Sequence, residues 1–145
     1  MSIRQFLAQN QYIQIGINVE AWEDLITIAA APLIKGGFVT TEYPQAVIDN
    51  TRKYGAYYVF EEGIAIPHAR PECGVIKNGF SLLTLARPVS ISDSEPVDII
   101  VMFSGMDSDT HITQGIASIV ELLDKAETLA QIRQATTVDE IIRLL

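Results

Sequence analysis

Cysteine is nearly absent from this sequence: Cys73 stands alone, which excludes an intrachain disulfide and any multi-cysteine metal site. Long apolar runs are missing too. The oiliest stretch, roughly Leu25 to Ile34, is interrupted by Thr27 and Pro32 and falls well short of the about 20 apolar residues a bilayer-crossing helix needs. The opening MSIRQFLAQN lacks the basic segment and apolar block of a signal peptide, so a soluble, cytoplasmic protein with no direct membrane insertion is expected. Positive charge is scarce. Ten Lys and Arg face 18 Asp and Glu, for a net charge of -8, and such an acidic surface repels nucleic acid and suits basic patches on partner proteins. No GxxxxGK[ST] loop is present, which argues against an independent nucleotide-driven kinase. Glu61, Glu62, Asp93, Glu95, Asp98, Asp107 and Asp109 are scattered without two-ligand spacing. Neither a metal site nor a cofactor is expected. Histidine is the last scarcity, with His68 and His111 the only two.

What is present is a globular composition. The 145 residues are 48% hydrophobic and 19% charged, enough to bury a real core in one domain spanning 1–145. Helical and strand patterns alternate along the chain and predict an α/β fold. A short helix is expected over Ile3 to Ala8 and a strand around Tyr12 to Ile15. Trp22, Leu25, Ile26, Ala29 and Leu33 recur at helical spacing between Val19 and Ile34, before the stop signal Lys35-Gly36-Gly37. A second helix from about Thr41 ends at Gly55. Strands are expected at Tyr57 to Phe60, at Phe80 to Leu85 and at Val97 to Phe103, with a further short one at Ile64-Ala65-Ile66. The run Ile99-Ile100-Val101-Met102-Phe103 has the pattern of a strand covered on both faces. Ser108-Asp109 can cap a helix beginning near Thr110, on which Ile112, Ile116, Ile119, Val120 and Leu123 form one stripe. Val138 to Leu145 reads as the last helix.

The segment Glu62-Gly63-Ile64-Ala65-Ile66-Pro67-His68-Ala69-Arg70-Pro71 carries most of the chemical information. Pro67 lacks an amide hydrogen and restricts its predecessor, so a short strand ends there and His68 emerges in a stiff setting. A neutral imidazole is a competent nucleophile towards phosphorus near neutral pH. Arg70, two residues on, offers a guanidinium that matches phosphate oxygens. A partly buried loop histidine without chemistry fits the same local pattern.

His111 falls in the first turn of the helix near Thr110. A helix N-terminus attracts anions and keeps an adjacent imidazole neutral. Positions 111, 115, 118 and 122 share one side, and Gly115 and Ser118 are small enough to admit a close approach. An ordinary first-turn histidine, with Gly115 required by packing, stands as the alternative. Both histidines follow predicted strands, and strand ends in an α/β fold can converge on one crevice. Arg52 lies in the last turn before Gly55, where a cation pairs with the helix dipole in any case.

The hexapeptide Gly63-Ile64-Ala65-Ile66-Pro67-His68 resembles the active-site signature of the mannitol/fructose-type (type-2) enzyme IIA domains of the bacterial phosphoenolpyruvate-dependent sugar phosphotransferase system. The order of elements agrees with that family over nearly the whole chain. Phe80-Ser81-Leu82-Leu83-Thr84-Leu85, Pro96-Val97-Asp98-Ile99, Pro67 to Glu72 and Asp109-Thr110-His111 are most similar to its ascorbate-specific branch. The resemblance implies a mixed β-sheet with helices on both faces. It implies a phosphotransferase in which His68 carries the phosphoryl group, His111 is the second active-site histidine, and Arg52 or Arg70 contacts the phosphate. The implied donor is HPr and the implied acceptor a cysteine of enzyme IIB, coupled to the membrane enzyme IIC and to sugar uptake. A regulatory phosphohistidine module of the nitrogen type, which controls partner proteins without sugar transport, is the alternative from another class.

Overall fold

The run Ile99–Phe103 does lie at the heart of the molecule, with every side chain in it essentially inaccessible to water. The computed structural model of the chain describes residues 2–107, 110–123 and 125–145, with side chains for all of these except 110–114, 122 and 123. Ten elements follow in the order α1 (Ile3–Asn10), β1 (Ile13–Ile17), α2 (Trp22–Lys35), α3 (Glu42–Tyr54), β2 (Ile64–Ala65), β3 (Gly79–Ser90), β4 (Pro96–Ser104), α4 (Thr110–Leu123), α5 (Ala126–Gln134) and α6 (Val138–Leu144). The strands form one sheet in the order β1-β3-β4-β2. β3 and β4 pair antiparallel, whereas β1 joins β3 and β2 joins β4 in parallel. The sheet is therefore mixed, as expected.

Alternation along β4 divides the core. Ile99, Val101 and Phe103 point to the face covered by Ile3, Phe6 and Leu7 of α1, Ile119 of α4, Leu129 and Ile132 of α5 and Ile141 of α6. Ile100 and Met102 point the other way, into a layer with Leu25, Ile26, Ala29 and Leu33 of α2 and Tyr43, Val47 and Ile48 of α3. Burying one such aliphatic side chain contributes roughly 1.5–3 kcal/mol, so the two faces together fix the strand register. Helices flank both faces.

Local signals explain most boundaries. Ser2 and Gln5 form a reciprocal capping box at the start of α1. Glu23 and Asp24 open α2 and Lys35 closes it, in accord with the helix dipole. Gly55, at a φ of 85°, ends α3. The expected Ser108-Asp109 cap lies outside the described residues. One expectation needs correction. Tyr57 to Phe60 is a turn carrying one isolated bridge between Val59 and Ala65, not a strand. Glu62 and Gly63 both take left-handed backbone, with φ of 67° and 78°, so the chain reverses too abruptly for a ladder to grow. The helix α5 carries no apolar stripe that marks it in the sequence, since AETLAQIRQ buries only Leu129 and Ile132. Among the described residues no helix is long and apolar enough to cross a membrane.

Candidate active site

Two parallel strands, β2 and β4, run side by side. Ile64 and Ala65 pair with Ile99 and Ile100, and beyond the ladder the Phe103 amide donates to the Pro67 carbonyl at 3.2 Å. His68 thus leaves the sheet where β4 also finishes. Buried Ile66 anchors the approach, its amide donating to the Tyr58 carbonyl at 2.9 Å.

The imidazole of His68 is half-buried, and its Nδ1 sits 2.7 Å from the Ile66 carbonyl oxygen. A carbonyl oxygen can only accept, so Nδ1 carries the proton and Nε2 keeps the lone pair. Burial lowers the imidazole pKa from its ordinary 6.5, and the bond to Ile66, which favours the protonated ring, offsets that only in part. The ring is neutral and nucleophilic at physiological pH.

Two tyrosines hold the loop. Tyr43, fully buried on α3, accepts a hydrogen bond from the Ala69 amide at 3.0 Å and donates to the Phe103 carbonyl at 2.6 Å. One hydroxyl thereby joins a helix, the His68 loop and the end of β4. Desolvation raises the Tyr43 pKa far above the ordinary phenol value, so this group stays protonated. Tyr57 donates to the His68 carbonyl at 2.7 Å, and its ring meets the imidazole edge to face, with centroids 5.5 Å apart. Neither tyrosine belongs to a recognisable motif. Their partners are backbone groups brought near by tertiary folding, and the only sequence hint is the clustering of Tyr54, Tyr57 and Tyr58 upstream of His68.

The other anticipated residues are placed as follows. Arg70 is exposed on the His68 loop and forms no ion pair among the described residues. Its charge partly opposes the burial and the neighbouring Cys73 that together raise the Tyr57 pKa. Arg52 of α3 is held against α2, with Nη2 3.1 Å from the Glu23 carboxylate and the guanidinium 5.9 Å from the Trp22 ring centroid. His111 occupies the first turn of α4, which begins six positions after β4 ends, but its side chain lies outside the described residues. One turn later, a Cβ added to Gly115 would stand 2.6 Å from Cζ of Phe103. What approaches α4 closely there is the ring at the end of β4, so packing accounts for that glycine.

Chemically, the arrangement presents an oriented, unprotonated ring nitrogen on a stiff loop, and the same loop carries the exposed Arg70, which has no ion pair among the described residues. Those are the needs of a group that receives and releases an electrophilic phosphorus.

Comparison with known proteins agrees with this chemistry. Residues 6–145 match the family described as the phosphoenolpyruvate-dependent sugar phosphotransferase system, EIIA 2. The ascorbate-specific PTS system EIIA component of Escherichia coli (strain K12) is 36% identical over 147 aligned residues, covering 100% of this chain and 96% of the relative. The mannitol-specific cryptic phosphotransferase enzyme IIA CmtB of E. coli superposes with a TM-score of 0.84 at 31% identity, over 96% of this chain and 97% of that one. The E. coli complex of the mannitol enzyme IIA with phosphorylated enzyme IIB provides a further match, with a TM-score of 0.81 at 26% identity, over 92% of this chain and 93% of that one.

Proposed function

The chain belongs to the EIIA 2 family of the phosphoenolpyruvate-dependent sugar phosphotransferase system and is a phosphotransferase component, and from that premise we propose that His68 is the residue on which it carries the phosphoryl group. The observation that supports this most is the bond between Nδ1 and the Ile66 carbonyl, because it leaves Nε2 as the nucleophile.

In the proposed cycle, phospho-HPr presents its phosphohistidine to the His68 loop. The Nε2 lone pair attacks phosphorus, the donor's N–P bond breaks, and that electron pair returns to the HPr imidazole. The Nδ1 proton remains on His68 throughout. As positive charge grows on the ring, the Ile66 carbonyl acceptor binds it more strongly, which favours the transition state over the ground state. A cysteine thiolate of enzyme IIB then attacks the same phosphorus and the electron pair returns to Nε2. Little covalent work falls to the protein besides the nucleophile; in-line positioning and charge stabilisation do the rest.

His111 and one arginine are proposed to contact the phosphoryl oxygens. Gly115 against Phe103 supports a position for the start of α4 near the end of β4, where the His68 loop also emerges. Arg70 has no ion pair to break among the described residues, whereas Arg52 would first have to leave Glu23. The identity to an ascorbate-specific component supports ascorbate as the sugar taken up downstream, with the membrane enzyme IIC as the indirect partner.

The test is incubation with phosphoenolpyruvate, enzyme I and HPr, followed by intact-mass measurement. The native chain should gain one phosphoryl group and His68→Ala should gain none. Equal uptake by His68→Ala would remove His68 from the role. Transfer from the phosphorylated chain to an ascorbate-type enzyme IIB, but not to a mannitol-type one, checks the cargo.

A further inference from the structure

Resting on that phosphocarrier reading, we propose that Tyr57 is a positioning residue for the reaction: its hydroxyl and its ring together hold the His68 imidazole in the one orientation that directs Nε2 outward for attack. A histidine side chain has two rotatable bonds, and a nucleophile that wanders over both loses much of the advantage of a prearranged reaction. The Ile66 carbonyl fixes the ring by one nitrogen only. Tyr57 supplies two further constraints. Its hydroxyl donates to the His68 carbonyl at 2.7 Å, which pins the peptide from which the side chain hangs. Its ring plane stands at 89° to the imidazole plane with centroids 5.5 Å apart, the edge-to-face arrangement aromatic pairs prefer, and so occupies space into which the imidazole would otherwise turn.

Tyr57 is itself well supported. Its ring packs edge to face on Tyr58 at 5.1 Å. Tyr58 is fully buried and shares a 2.7 Å hydrogen bond with Thr51 of α3. The chain of contacts therefore runs from α3 through two tyrosine rings to the reacting imidazole. Tyr57 remains 47% exposed, and this exposure lets it be replaced without emptying the core.

The experiment compares the native chain with Tyr57→Phe and Tyr57→Leu, each checked for an unaltered melting profile. With two histidines in the chain, selective 15N-histidine labelling gives a spectrum in which the His68 tautomer can be read directly. Stopped-time phosphorylation by phospho-HPr separates kcat from KM. The expected result is a kcat lowered about fivefold by Tyr57→Phe, the size of one lost hydrogen bond, and about thirtyfold by Tyr57→Leu, which also loses the ring contact. KM should stay within about twofold, while the His68 nitrogen shifts move from the Nδ1–H form towards a tautomer average. Unchanged kcat and unchanged nitrogen shifts in both variants would overturn the proposal. So would a raised KM with kcat intact, which would make Tyr57 a docking contact. If the native chain takes up no phosphoryl group at all, the phosphocarrier reading has failed, and the nitrogen shifts alone decide whether Tyr57 sets the ring.

Discussion

The hydroxyl of Tyr43 lies 3.0 Å from the amide nitrogen of Ala69, the residue directly after the candidate phosphoacceptor, and donates its own hydrogen bond to the Phe103 carbonyl near the end of β4. This relationship makes the loop an extension of the hydrophobic core.

Tyr43→Phe keeps the ring and deletes the junction. The Ala69 amide and the Phe103 carbonyl are then left without that partner in a buried setting, at a cost of about 2–4 kcal/mol in stability. Phosphoryl acceptance should fall as well, since the loop is freed. Tyr58→Phe is the control. Its hydroxyl bonds Thr51 and not the loop, so it should lose stability while retaining the acceptance rate. Denaturant melts combined with the HPr assay check both.

The pH dependence follows from the depressed His68 pKa. The folded ring binds fewer protons than the unfolded one between its lowered pKa and 6.5. Stability from this group is therefore fully present above 6.5 and is lost as pH falls through the folded value. Phosphoryl acceptance should reach half its alkaline level only at a pH below 6.5, because the neutral form is the proposed nucleophile. His68→Ala should flatten the acid limb of the stability curve. A rate that already halves at pH 6.5 would show an unperturbed imidazole.

The arginines separate by cost. Arg70→Gln should slow phosphorylation about tenfold to a hundredfold, as loss of a donor to developing phosphoryl charge does. Arg52→Gln should slow it by less than about threefold. The Arg52–Glu23 pair is exposed at 56% and 35% of its side chains, so its loss alters stability by no more than about 1 kcal/mol and will not disturb the comparison. The reverse order of effects would assign the phosphate contact to Arg52.

Much of this architecture is readable in the sequence, for local reasons. The strand through Ile99–Phe103 is apolar at every position because both its faces are covered. α3 announces its end at Gly55, and Pro67 announces the end of the strand before His68. What escapes sequence reading depends on distant partners. Tyr57 to Phe60 has strand-like composition, yet the Tyr57 and Tyr58 hydroxyls are spent on His68 and Thr51. The left-handed pair Glu62–Gly63 is held by Arg133 of α5, whose guanidinium bonds both Asp98 and the Glu62 carbonyl. No window around residue 60 contains that arginine. α5 itself is a two-contact helix too short to show a period. Arg52 looks like dipole pairing from sequence, and its tie to Glu23 spans 29 positions.

The most direct test of the central claim is a phosphorus–nitrogen correlation spectrum of the 15N-histidine-labelled chain after phosphorylation by phospho-HPr. A single phosphohistidine is expected, with phosphorus coupled to Nε2 of His68 and the Nδ1 proton still present. Phosphorus on Nδ1 of His68, or on His111, would contradict it.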